Sequence, residues 1–205
     1  MQCPYCQAPA FETQLQCAQC GFSLDTVQSF FGIMPRLLPG VSDLASLLHS
    51  RDHRRIEDAT ARLRARFPQV TFSIATVRLH PAQPLTAYSF WLFNRGGICR
   101  EVNRGALSRD LLLTIDAESA RATLMIGYGL EPFVSQSALQ ELIRPATTEF
   151  TAQRWVDGII SVIDRTAAAL WQIHQTLPRT YGLDMHAVRR EEDPAPALAF
   201  PTGTY

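Results

Sequence analysis

The sequence predicts an α/β protein: a three-layer α/β/α sandwich preceded by a small zinc ribbon. Three observations predict it. Over residues 41–177 the apolar positions alternate between helical and strand periods in the order α-β-α-β-β-α-α. Four of the five cysteines form two Cys-x-x-Cys pairs within the first twenty residues. Finally, the 205 residues are 46% hydrophobic and 19% charged, which suits a packed core that needs no disulfides. The expected organisation is a ribbon over 1–24, a connector over 25–40, the α/β body over 41–177 and an irregular Pro-rich tail over 178–205.

The ribbon pairs are Cys3-Pro-Tyr-Cys6 and Cys17-Ala-Gln-Cys20, the second followed by Gly21. A two-residue gap turns both thiolates of a knuckle toward one ion, and two knuckles complete a tetrahedral Zn²⁺ site. So short a segment has too few apolar residues to fold alone, so metal binding, worth roughly 10–16 kcal/mol for structural zinc, would supply its folding energy. A redox dithiol or a pair of disulfides is the alternative. With all four positions filled by protein, the zinc is structural and not catalytic. The stretch AFETQLQ between the knuckles holds no basic residue, and four thiolates around one divalent ion are net negative. That favours a protein-contact or stability role over phosphate contact.

The body begins where Ser42 or Asp43 can cap a helix carrying Leu44, Leu47, Leu48, Ile56, Leu63 and Phe67, ended by Pro68. QVTFSIATVRL at 69–79 alternates and reads as a strand. Residues 85–94 read as a helix with Tyr88, Trp91 and Leu92 on one side, followed by a loop rich in Gly and Arg. Two strands follow, DLLLTI at 110–115 and ATLMIG at 122–127; the apolar run of the first suggests cover on both faces. Ser137 with Gln140 forms a capping box for a helix through Arg144, stopped by Pro145. Trp155, Ile159, Val162, Thr166, Leu170 and Ile173 mark the last helix.

Nineteen arginines, no lysine and nineteen acids balance to zero, which excludes a generic polyanion binder and argues against nucleic acid as a partner. The distribution is uneven. Residues 1–50 hold one arginine and three acids, residues 51–109 eleven and four, and residues 110–205 seven and twelve. The opening MQCPYCQAPA has neither the basic start nor the apolar run of a secretory signal, and no stretch is apolar enough to span a membrane. A cytoplasmic protein is the expectation.

The segment Gly127-Tyr128-Gly129-Leu130-Glu131 follows a strand, and its glycines allow a sharp turn at little steric cost. It either sets Glu131 at a strand's carboxyl end, where open α/β sheets bind ligands, or only shapes a turn. Together with Val41-x-Asp43-x-Ala45-x-x-Leu48, the LFNR segment at Leu92–Arg95, the apolar Leu111-Leu112-Leu113 and Gly158, it makes the body resemble the TPM domain. That family includes phosphatase-like proteins of thylakoids and bacteria and a membrane receptor modulator. The resemblance spans roughly residues 39–175 and implies a three-layer α/β/α fold. It also implies clustered acids that hold a divalent cation in the members that act as phosphatases.

Residue by residue, the acids kept are Asp43 and Glu131. The family's D/N-N-G-V turn is here Leu107-Ser108-Arg109-Asp110, its Asp after GYGLE falls at Ser135-Gln136, and its Asp before the last helix falls at Arg154. Asp110 and Asp157 lie out of register. Two surviving acids make a poor site for Ca²⁺ or Mg²⁺, which need several hard oxygens. Arg95, Arg104 and Arg109 in the same region suit an anion, such as a phosphorylated ligand, or a partner carboxylate. The expected function is therefore a binding or regulatory module with a degenerate acidic site and a protein partner. The alternative is a divalent-metal phosphatase using Asp43, Asp110 and Glu131.

Two further candidates carry less. Cys99, flanked by Arg95, Arg100 and Arg104, is either a reactive thiol or an idle one. His49 and His53 form an i,i+4 pair that could bind metal but sits among Arg51, Arg54 and Arg55, as a solvated face does.

Overall fold

A computed structural model describes residues 2–11, 13–38, 40–98 and 109–180, with backbone alone for 177–180. The expected sites Cys99 and Arg104 lie outside the described residues. The chain divides into two compact units, Met1–Ala167 and Ala168–Tyr205.

After the ribbon, the connector contains a single helical turn, α1 (Gln28–Phe31). The body then runs β1 (Val41–Asp43), α2 (Ser50–Arg66), β2 (Thr71–Val77), α3 (Leu85–Arg95), β3 (Asp110–Asp116), β4 (Arg121–Ile126), α4 (Gln136–Ile143), α5 (Thr147–Thr151) and α6 (Trp155–Thr180). A 3-10 turn over Arg144–Ala146 separates α4 from α5, where Pro145 ends the α-helical hydrogen bonding. The four strands form one sheet in the order β1-β2-β3-β4. β1 and β3 both run parallel to β2, and β4 returns antiparallel to β3.

Strand alternation sorts the core onto two faces. Ala75, Val77 and Leu112 face α3 and pack in one cluster with its Tyr88, Trp91 and Leu92. Val27 and Leu37 of the connector join that cluster, so the connector is part of the core. The opposite face carries Ile74, Leu113 and Ile115, all at most 1% exposed. The helices α2 and α6 supply buried stripes of their own, Ile56–Ala59–Leu63 and Ile159–Val162–Ile163. Arg55 reaches Asp157 at 2.8 Å and ties α2 to the start of α6. Helices on both faces of one sheet make the expected three layers.

Three expectations are corrected. Ser42 and Asp43 do not cap a helix. They belong to β1, in register with Ala75 and Thr76, and the helix starts at Ser50. The helix-like spacing of Leu44, Leu47 and Leu48 comes from a loop that Asp43 organises by accepting the N–H of Leu47 and Leu48. The cap of α4 is Ser135, not Ser137, its hydroxyl accepting from Ala138 N–H. Finally, α6 continues through Thr180, so the first residues assigned to the tail are helical. In the second unit, Trp171 stacks on His174, with ring centroids 5.5 Å apart. Among the described residues no helix is long and apolar enough to cross a membrane.

Candidate metal centre and the cleft beside it

The two knuckles are built alike. Gln7 N–H returns to Cys3 carbonyl at 2.9 Å and Gly21 N–H to Cys17 carbonyl at 2.8 Å. Each turn closes on a residue of positive φ, Gln7 at 61° and Gly21 at 72°. Glycine meets that demand freely, whereas Gln7 costs roughly 1–2 kcal/mol that something else must offset. Cys3 Sγ lies 3.7 Å from Cys20 Sγ, and Cys6 Sγ 3.7 Å from Cys17 Sγ. All four sulfurs are within 4.8 Å of one another. A tetrahedron with ~2.3 Å metal–sulfur bonds has edges of ~3.8 Å, so the spacing fits one ion. The Cys17 thiol is lowered to about 7, chiefly by the backbone N–H of Cys20 and then that of Gln19. These N–H groups stabilise the Cys17 thiolate, the form that binds a metal, whereas burial pushes up the thiols of Cys3 and Cys20, the latter to about 12. The quartet could hold a metal such as zinc.

The ribbon is fastened to the body through aromatic rings. Tyr5, inside the first knuckle, stacks on Phe22 at 6.1 Å, and Phe22 meets Phe90 of α3 at 6.2 Å. A second path runs from Tyr5 through Phe30 and Phe31 to Trp91.

The three acids do not meet. Asp43 ends β1 opposite Thr76, while Asp110 starts β3 opposite Thr71. Five residues of β2 at ~3.3 Å each place them roughly 16 Å apart along the sheet. Asp43 accepts from Leu47 N–H at 3.0 Å, Leu48 N–H at 2.9 Å and the Thr76 hydroxyl. Glu131 follows β4, whose antiparallel course brings it to the Asp110 end; Gly127 N–H donates to Asp110 carbonyl at 2.9 Å. GYGLE therefore does end a strand, but at the amino end of β2 and β3. Among the described residues, the cysteine quartet is the group of three or more potential ligands that converges.

Arg95 ends α3 and pairs with Asp25 of the connector at 2.6 Å. Arg109 lies exposed just before β3. His49 precedes α2, its N–H donating to Asp52 at 2.9 Å, and His53 follows one turn on.

A cleft of about 480 Å³ opens between the first knuckle, α3, β4 and α4. Gln2, Cys3 and Gln7 form its ribbon wall, Phe90 and Phe93 its α3 wall, and Tyr128 and Glu131 line it from GYGLE. A smaller groove of about 290 Å³ runs on past Phe11, Leu15 and Phe22 to Arg95. Phe11 is 72% and Leu15 94% exposed.

Comparison with known proteins decides what the body is. A family model for the TPM domain matches residues 41–169. The chain belongs to the TPM domain family. Two solution structures share the fold. One is the N-terminal domain of a protein from P. gingivalis, at 21% identity and TM-score 0.54, covering 63% of this chain and 80% of that one. The other is the BA42 protein from the psychrophilic bacterium Bizionia argentinensis, at 12% identity and TM-score 0.53, covering 63% and 86%. No curated protein matches the chain.

Within this TPM domain, sequence reasoning missed Asp116 and the cleft. Asp116 is 4% exposed and accepts the N–H groups of Leu79, Glu118 and Ser119. The motif Asp-x-x-Ser after an apolar strand is the signal for such an Asx turn. The cleft left no local signal, because its walls come from separate segments spread between residues 2 and 143.

Proposed function

We propose that this TPM-domain protein is a cytoplasmic binding or regulatory module whose ribbon holds one structural Zn²⁺ through Cys3, Cys6, Cys17 and Cys20. The placement of the acids carries this reading. A Ca²⁺ or Mg²⁺ ion needs several oxygens around one point, and Asp43 stands at the other end of the sheet from Asp110 and Glu131. The four-cysteine set leaves a bound ion no open position for water, which a catalytic zinc requires. No disulfide joins the four cysteines, which suits a reducing compartment. A protein partner fits the exposed Phe11 and Leu15 on the ribbon. Arg95, Arg104 and Arg109 are the candidates for a phosphorylated ligand or other small anion, although Asp25 already occupies Arg95.

The rival is a divalent-metal phosphatase of the TPM type, favoured by family membership and by Asp110 and Glu131 sharing one end of the sheet. Hydrolysis of p-nitrophenyl phosphate with Mg²⁺, Ca²⁺ or Mn²⁺ separates the two. The module shows no turnover above the metal-free background. Metal-dependent turnover abolished by Asp43→Asn or Glu131→Gln overturns it. Elemental analysis should find one zinc per chain and a loss of it in Cys17→Ser; full retention refutes the ligand set.

A further inference from the structure

Two helix faces frame the cleft, and neither brings a charge to it. From α4 come Gln136, Leu139 and Gln140, spaced i, i+3 and i+4, so they share one side of the helix. From α3 come Phe90 and Phe93, which share a side for the same reason. Ionised residues nearby stay off the lining: Glu141 pairs with Arg144 at 2.6 Å, and Arg95 with Asp25. No described lining residue is Arg, Lys or His, and Glu131, the one carboxylate there, is already engaged within the protein. Cys3 adds the edge of a four-thiolate centre, which is net negative around a divalent ion. A phosphate or carboxylate would find no counter-charge here, so an uncharged ligand suits the lining best.

The rest of the lining is rings and amides. Phe90, Phe93 and Met125 offer polarisable apolar surface to the face of a flat ring. Side-chain amides stand on two walls, Gln136 and Gln140 on α4 and Gln2 and Gln7 on the ribbon. An amide presents a donor and an acceptor side by side, the pattern that pairs bidentately with the edge of a nucleobase. Gln7 bears on this separately. The second knuckle meets the same turn with Gly21, while the first keeps glutamine at a φ of 61°. An amide thus stands in the cleft wall where glycine would fold at lower cost. The volume lies in the range of ordinary small-ligand pockets.

We propose that this cleft binds an uncharged planar heterocycle whose edge carries an adjacent hydrogen-bond donor and acceptor, the chemistry of a nucleobase. The ring lies against Phe90 and Phe93, and the amides of Gln7 and Gln140 pair with its edge. Stacking supplies affinity and the amides supply selection. This ligand site lies beyond the binding-module reading and does not depend on it, since Phe11, Leu15 and Arg95 do not border the cleft.

The test uses the full, zinc-loaded chain and follows its backbone amide resonances on titration with adenosine, uridine, ribose, nicotinamide and nicotinate. At least one nucleoside should saturate and shift Leu139 and Gln140, while ribose leaves both unmoved. Nicotinamide should bind at least about tenfold more tightly than nicotinate, which puts a carboxylate where the amide was. Gln140→Leu, at an exposed position, should weaken the bound nucleoside about tenfold with an unchanged thermal transition. Gln7→Gly should keep the turn and the zinc yet weaken binding at least about threefold. The proposal is overturned by no saturation with either nucleoside, by ribose binding as well as they do, or by nicotinate matching nicotinamide. Both variants binding as the parent does overturns it too. Those results leave the module reading standing; metal-dependent phosphatase turnover removes that reading instead.

Discussion

Gly158 lies in the first turns of α6 against the ring of Phe150, which is 1% exposed. A Cβ at 158 would stand 2.4 Å from Phe150 Cε1 and 2.7 Å from its Cδ1. The ring is boxed in, and it also stacks on Trp155 at 6.2 Å, so it has little room to withdraw. Gly158→Ala should therefore lower stability by about 1–3 kcal/mol despite alanine's better helix propensity. Urea unfolding measures this; a stabilised variant would show that the ring moves freely. The same residue scale explains Asp43. Its position in a family motif reads as a site acid, yet its hydrogen bonds hold the loop after β1. A one-letter match cannot tell those roles apart, because both need a carboxylate at one place on the backbone.

At the scale of elements, α4 is eight residues long, too short to hold itself by propensity. Ser135 supplies its cap, with the hydroxyl 3.2 Å from Ala138 N–H. Ser135→Ala should cost about 1 kcal/mol. Because α4 forms one wall of the cleft, faster exchange should follow at Leu139 and Gln140. Unchanged exchange there would assign the cap to another residue, with Ser137 the first to try. Long periodic elements were legible from sequence: β2, α3, β3, β4 and α6 each lie within a few residues of their expected place. β1 was not, for a physical reason. Three residues give no measurable period, and β1 exists because Ile74 N–H and the Thr76 backbone offer partners at the sheet edge. Its strand state is tertiary in origin.

For the whole molecule, the metal centre and the body should come apart energetically. The connector stays buried in the body through Val27 and Leu37, and Leu37 N–H bonds to Gly96 carbonyl at 2.9 Å. The first knuckle, among the described residues, is held through Tyr5 and its ring contacts with Phe22 and Phe30. Stripping the metal with a chelator should therefore release protection over residues 2–24 while the body keeps a cooperative thermal transition. A collapse of that transition would show that the ribbon is integral to the core. What the sequence by itself determined is the local part. The knuckles are close-range motifs, the α/β class follows from hydrophobic period, and the TPM family follows from short motifs. Tertiary structure alone decided where those pieces meet. The antiparallel course of β4 carries Glu131 to the Asp110 end and leaves Asp43 at the other, Asp25 takes Arg95, and the ribbon closes a cleft over β4. A hydrophobic period is the same whichever way a strand runs, so direction, neighbours and the resulting site are fixed only by packing across the chain.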